Sequence, residues 1–355
     1  MSNIDDLINE LKSEDERDRA FAVEDIVYEG VPGCIDLLVE QLKIEKSHYV
    51  REVIVRNLKT LPGTELVEKI IPLLRSDDAF IRNAIIDIIS EQEEEAVSLL
   101  RPLLKDADKD IRKFALDILF LLNNPYSASL IAEALDDSDI NMVITAVEYL
   151  GRMEAQGVAP QVNDLFAKTQ NILLRCTCLE AMAVLGDDNS LAIVSQLYAD
   201  PQTIADLELY SYLKFLAKKG QEDYLPWVVS LIKTKGQLMA KEIINTIEGI
   251  LERANLNIIP EGMVQALSEY IASNINAINK YELLIFLGQF KNPEIMPLLI
   301  EYTKSSDKLL CLGAVEALGL YGQQEGLDIL KDLAKQAEDE EILEALEKSI
   351  IQIGR

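Results

Sequence analysis

Histidine is almost missing from this chain: His48 is the single one in 355 residues. A triad or metal centre that needs several imidazoles cannot be assembled, so any metal would rest on carboxylates or thiolates. Gly-rich phosphate loops and nucleophile elbows are absent as well, which removes the common signatures of nucleotide binding and serine hydrolysis. Aromatic residues make up only 6%, with one tryptophan, and the four cysteines, Cys34, Cys176, Cys178 and Cys311, are too few for a disulfide framework. Reduced thiols are the expectation. No apolar run approaches the roughly 18 residues that span a bilayer. The start, "MSNIDDLINELKSEDERDR", is acidic and lacks the basic-then-apolar order of a secretory leader, so a soluble cytoplasmic protein is expected. Basic charge is short too: 34 Lys and Arg face 61 Asp and Glu, a net charge of −27. That field repels phosphate backbones and anionic headgroups, so nucleic acid and membrane surfaces are not expected partners, and basic protein segments are favoured.

What the chain does have is hydrophobic residues, 49% of the total, in a pattern that repeats. "RSDDAFIRNAIIDII" (75–89), "KDADKDIRKFALDIL" (105–119) and "DDSDINMVITAVEYL" (136–150) are variants of one phrase. The pairs Ile85–Asp87, Ala115–Asp117, Ala146–Glu148 and Cys178–Glu180 follow one another at 30, 31 and 32 residues, and a fixed period in this range marks a solenoid. Ala96, Leu99, Leu100, Leu103 and Leu104 fall at i, i+3, i+4, i+7 and i+8; Ile111, Phe114, Ala115, Ile118 and Leu119 repeat the pattern. Each unit is therefore a pair of amphipathic helices, A then B. The acids between them supply N-caps: Asp106 and Asp108 are placed to accept the orphan N–H groups of helix B, and Asp77/Asp78 and Asp137/Asp139 do the same one unit earlier and later. Pro72 and Pro102 fall inside helix A and predict kinks there.

A unit with Pro-Leu-Leu in helix A, Asp in the turn, Ile-Arg opening helix B and then Ala-x-Glu-x-Leu-Gly resembles a HEAT repeat, closest to the short bacterial kind named after the phycobilisome lyases. "CLGAVEALGLYGQQEG" (311–326), "AVEYLGRMEAQG" (146–157) and "CLEAMAVLGDDN" (178–189) carry the end of the motif. The resemblance implies an all-α fold, a right-handed α-solenoid of about ten to eleven helix pairs, in one continuous domain. Regular repeats are expected over 1–189, divergent longer repeats over 190–292, and regular repeats with a C-terminal cap over 293–355.

The same resemblance implies roles for two rows of polar residues. Arg19, Arg51, Arg82, Arg112 and Arg175 would tie neighbouring repeats through a hydrogen-bonded ladder that breaks at Val143. Helix B lines the concave side in such solenoids, so Asp87, Asp117, Glu148 and Glu180, with Lys113, would face a partner or else form a solvated face. Helices pack about 8–10 Å apart, a spacing at or beyond that of paired catalytic carboxylates and suited to a ladder for Lys or Arg. Residues 206–255 form a second candidate surface. They hold seven Lys and Arg against seven Asp and Glu, together with Tyr210, Tyr212 and Trp227, a mixture typical of interaction hot spots or of core fill in a divergent unit. Cys178 occupies a buried position, and Cys176 lies about 200° around the helix from it, so the two do not chelate one metal. No cofactor, metal or catalytic group is expected. The reading is a non-catalytic scaffold or adaptor for a protein partner carrying a basic segment. The alternatives are a bilin lyase or bilin-protein chaperone, suggested by the repeat subtype, and a structural assembly subunit.

Overall fold

The computed structural model of the protein describes residues 4–61, 63–92, 97–200, 204–256, 259, 262–273 and 276–354. Ala96, the first residue of the apolar series above, lies outside them. Among the described residues every regular element is an α- or 3₁₀-helix. The chain divides into two compact units, residues 1–162 and 163–355.

Among the described residues the first unit stacks five helix pairs. Its B helices are Glu16–Tyr28, His48–Lys59, Ala79–Ser90, Lys109–Leu122 and Ile140–Arg152, each preceded by a shorter A helix. The cause of each A-to-B turn is visible in its cap: side chains of Asp15, Ser47, Asp78, Asp108 and Asp139 accept the first free backbone N–H groups of the five B helices. Ile111, Ala115, Ile118 and Leu119 are buried as their spacing predicts, and Leu116 joins them, while Phe114 is half-buried. In the matching A helix the core is Val97, Leu100 and Leu104, with Leu99 and Leu103 half-buried.

The prolines act differently from the expected kink. Thr64–Ile70 passes into a 3₁₀-helix, Ile71–Arg75, at Pro72, and Ser98–Lys105, which contains Pro102, is 3₁₀ throughout. Proline lacks the N–H for an i→i−4 or an i→i−3 bond, so the α-helical ladder is broken at these positions and the chain winds as 3₁₀ around them. Glu133–Asp136 tightens in the same way without a proline, so a proline is not required for this geometry.

Among the described residues six pairs follow in the second unit, the first of them opening with the Ala159–Lys168 helix, which begins at the end of the first unit. The B helices of the second unit are Ile172–Leu185, Asp206–Lys219, the second half of Leu225–Arg253, Ala277–Gly288, Lys308–Tyr321 and Glu340–Ile353. The Leu225–Arg253 element runs 29 residues because its A-to-B turn has collapsed to a kink at Met239 (φ −136°, ψ 25°). Its turn sequence, "KGQ" at 235–237, offers no Asp, Ser or Asn to cap a new helix. Successive B helices here approach closely at small residues: Gly249 lies against Ala217, Gly288 against Ala317, and Gly319 against Ser349. Both units are therefore all-α solenoid stacks.

Candidate functional site

The arginine row is structural in the way its residue type dictates. Each guanidinium donates to the backbone carbonyl six residues before it: Arg19 to Ser13, Arg51 to Glu45, Arg82 to Ser76, Arg112 to Asp106 and Arg175 to Thr169. The same groups reach into the next repeat. Arg19 pairs with Glu45 at 2.9 Å, Arg51 with Asp78 at 2.8 Å, Arg112 with Asp137 at 2.7 Å and Arg175 with Glu208 at 3.2 Å. A planar fork with five donors can serve its own turn and its neighbour's acid at once, which Lys cannot. The ladder is interrupted at Val143, as expected, and weakened at Arg82: Asp106 in the following turn is taken by Arg75.

The acidic row on the B helices has a different character from a line of free carboxylates. Asp87 accepts from Lys59 at 2.6 Å, and Glu180 from Lys214 at 3.1 Å and from Ser211 at 3.3 Å. Asp117 is half-buried; it pairs with Lys113 on its own helix and accepts from Tyr149 Oη at 2.5 Å. Burial, and then the Asp117 charge, push the Tyr149 phenol up. The Tyr149 ring stacks on Phe120 at 4.2 Å, and Arg152 caps Phe120 at 4.6 Å. Among the described residues Glu148 meets only Arg152 of its own helix, at 3.4 Å. Glu24–Arg56 and Glu316–Tyr281 extend the pattern to both ends of the chain. Lys113 is thus a partner of Asp117 rather than a free cation.

The 206–255 stretch splits into core and surface. Tyr212, only 1% exposed, sits between Tyr198 and Trp227 in an aromatic chain inside the second unit. It packs the interior, which corrects its placement on a binding surface. Trp227 is half-buried, and its indole N–H is buried without a hydrogen-bond partner. Tyr210 stays accessible beneath Lys214, whose ammonium lies 4.5 Å from its ring. A cavity of about 680 Å³ opens here on the B-helix side, lined by Glu180, Tyr210, Lys214, Lys218, Lys241, Glu248 and Glu252. Burial pushes the Glu248 carboxyl up; a hydrogen bond from Gln289 at 3.1 Å opposes this, and the Glu252 charge adds to it.

Arg253, not singled out by the sequence, donates to the carbonyls of Leu216, Ala217 and Gly220 and so closes the end of the preceding B helix. It substitutes for the arginine ladder where the turn motif is gone. Cys178 is fully buried, and burial raises its thiol to about 12. Among the described residues no group of three or more His, Cys, Asp or Glu is arranged to hold a metal, and no helix is long and apolar enough to cross a membrane.

Repeated A/B pairs, an arginine ladder between their turns and close B-to-B packing define an α-solenoid of short helical repeats. A family model for HEAT repeats matches residues 35–118, 97–183 and 264–351, which is more than half of the chain. The protein belongs to the HEAT-repeat family. The unmatched interval 184–263 contains the collapsed turn and most of the lining of the groove just described. No curated protein matches the sequence. Among solved structures, Kap121p is 16% identical with a TM-score of 0.61, over 99% of this chain and 45% of that one. Importin beta is 11% identical with a TM-score of 0.62, over 98% and 59%. Kap95p, solved with RanGDP, is 12% identical with a TM-score of 0.61, over 99% and 55%. These likenesses concern fold alone, and the chain spans about half the length of the proteins it matches.

Proposed function

We propose that this protein is a non-catalytic HEAT-repeat scaffold that holds another protein on the exposed faces of its B helices. The observation that carries the reading is the groove of the second unit, where Tyr210 and both signs of charge line a cavity of about 680 Å³ between three successive B helices. A mosaic of paired charges around an amphipathic aromatic ring suits a protein surface, whose own charges can exchange with the pairs already present. Solenoids of this fold hold proteins elsewhere: Kap121p has been crystallised bound to Ste12p. With a net charge of −27 the chain steers basic segments toward itself, so the partner presents Lys or Arg to the B-helix acids, Asp87, Asp117 and Glu148 in the first unit and Glu180 in the second.

Affinity capture at low salt tests the reading, with the natural chain compared against Asp117→Lys/Glu148→Lys/Glu180→Lys. A stoichiometric protein retained by the natural chain and lost by the variant is expected. Equal retention by both, or no retained protein, would overturn it.

A further inference from the structure

One lysine of the second unit already sits where a partner's cation would go. Lys214 lies one helical turn beyond Tyr210 on Asp206–Lys219, and its ammonium folds back over that ring, 4.5 Å from the centroid. The same ammonium reaches Glu180 Oε1 on the preceding B helix at 3.1 Å, where Ser211 Oγ also donates at 3.3 Å. Among the described residues Glu180 Oε2 accepts no hydrogen bond, and Glu180 and Tyr210 share none. Lys214 is therefore the link between an acid and an aromatic face.

The comparable trio of the first unit is closed in another way. There Tyr149 Oη donates directly to Asp117, so Lys113 joins a pair that is already made. The Lys113 and Asp117 side chains are 36% and 25% exposed, those of Lys214 and Glu180 44% and 48%. An ion pair as open as the second contributes little and parts readily. When Lys214 swings away, a carboxylate and an accessible ring stand free together in the groove of about 680 Å³, whose lining also offers the small apolar Ala183, Val184, Ala217 and Gly249. A guanidinium suits that place better than the ammonium does. Its planar fork can take both Glu180 oxygens while its face lies on the ring, and its methylene stem can cover the apolar lining. An ammonium is a point charge without that fork.

We propose that Glu180 and Tyr210 form the anchor site for an arginine of the partner protein, and that Lys214 occupies this site in the free chain as a built-in competitor. The anchor rests on the groove being a binding surface, and adds to it the side chain recognised and the contact that must open. A partner binds only the fraction of molecules in which Lys214 has left, so removing Lys214 strengthens binding.

The probes are twelve-residue peptides of one Gly/Ser/Ala sequence carrying Arg, Lys or citrulline at the same three positions, titrated by fluorescence anisotropy against the full chain at low salt. The Arg peptide should bind at least threefold more tightly than the Lys peptide, and the uncharged citrulline peptide should not bind. Tyr210→Ser and Glu180→Gln should each abolish the preference for Arg. Lys214→Met should tighten Arg-peptide binding at least threefold. Because that change also makes the chain more acidic, Lys331→Met, the same loss of charge at an exposed lysine of the second unit, sets the baseline and should alter affinity less than twofold. Lys214→Arg keeps the charge and should weaken binding at least threefold, since an internal guanidinium holds the site harder. All of these side chains are exposed, so an unchanged circular dichroism spectrum is expected throughout. An Arg peptide that does not bind, equal affinities for Arg and Lys, a Lys214→Met effect no larger than that of Lys331→Met, or tighter binding by Lys214→Arg would overturn the anchor. Such a result leaves the scaffold reading to the capture experiment, and failed capture beside the expected peptide results would remove the scaffold while leaving the arginine site.

Discussion

At the scale of single residues, the arginine ladder was readable because it recurs: one residue type at one offset from each turn announces a shared role. The acids that answer it were partly readable, since Asp78 and Asp137 sit in the repeated turns, whereas Glu45 and Glu208 depart from that pattern. Glu45 carries a consequence for pH. It is buried, and burial pushes its carboxyl up; bonds from Arg19, the Ser47 backbone N–H and Gln41 outweigh this and lower it from 4.5 to about 2. A carboxyl depressed in the folded state contributes stability that is fully present above its unfolded value and is lost as pH falls toward the folded one. The window is therefore pH 4.5 down to about 2, and the contribution at neutral pH is about 3 kcal/mol. Glu45→Gln should be less stable than the natural chain at pH 7, with the difference narrowing through that window. Urea unfolding at pH 7, 4 and 3 checks it, and a difference that does not change with pH would contradict the assignment.

At the scale of helices, pairing and capping were legible, and the inter-helix partners of the acids were not. Asp87, Asp117 and Glu180 repeat, but what meets them is Lys59, Tyr149 and Lys214, of different types and on different sides in sequence. A period search detects sameness, and these partners are not the same. Tyr212 escaped for a related reason: in a divergent unit the register that separates inward from outward positions is lost with the turn motif. The close B-to-B contacts are also a matter of helices, and they make a test of packing. Gly249 sits mid-helix, where alanine is ordinarily favoured by about 1 kcal/mol. A Cβ there would run into the carbonyl oxygen of Ala217 on the neighbouring B helix, a backbone atom that cannot rotate away. Gly249→Ala should therefore destabilise by about 1–3 kcal/mol, the usual cost of overpacking. Gly157→Ala, where a Cβ meets nothing within 4 Å, should be close to neutral. Thermal unfolding of the two variants side by side decides it, and equal melting temperatures would refute the packing account.

For the molecule as a whole, the repeat period and the number of helix pairs were legible, because most pairs restate the same apolar spacing. The whole-molecule property that repeats do not display is charge. With 34 bases against 61 acids, even complete pairing leaves 27 acidic charges that only solvent and counter-ions can balance. Many of the pairs that do form are on exposed side chains, such as Lys43–Glu40, Lys168–Asp164 and Lys348–Glu344, and exposed pairs contribute little. Surplus like charge opposes compaction, and salt screens it over about 10 Å at 0.1 M. Raising sodium chloride from about 20 to 200 mM should thus raise the melting temperature of the free chain, since the repulsion relieved exceeds the weak attraction lost. The same change should weaken capture of a basic partner, because that attraction acts across the same screened distance. Opposite responses of stability and binding to one variable identify charge as the common cause. Parallel responses would mean that apolar contact governs both.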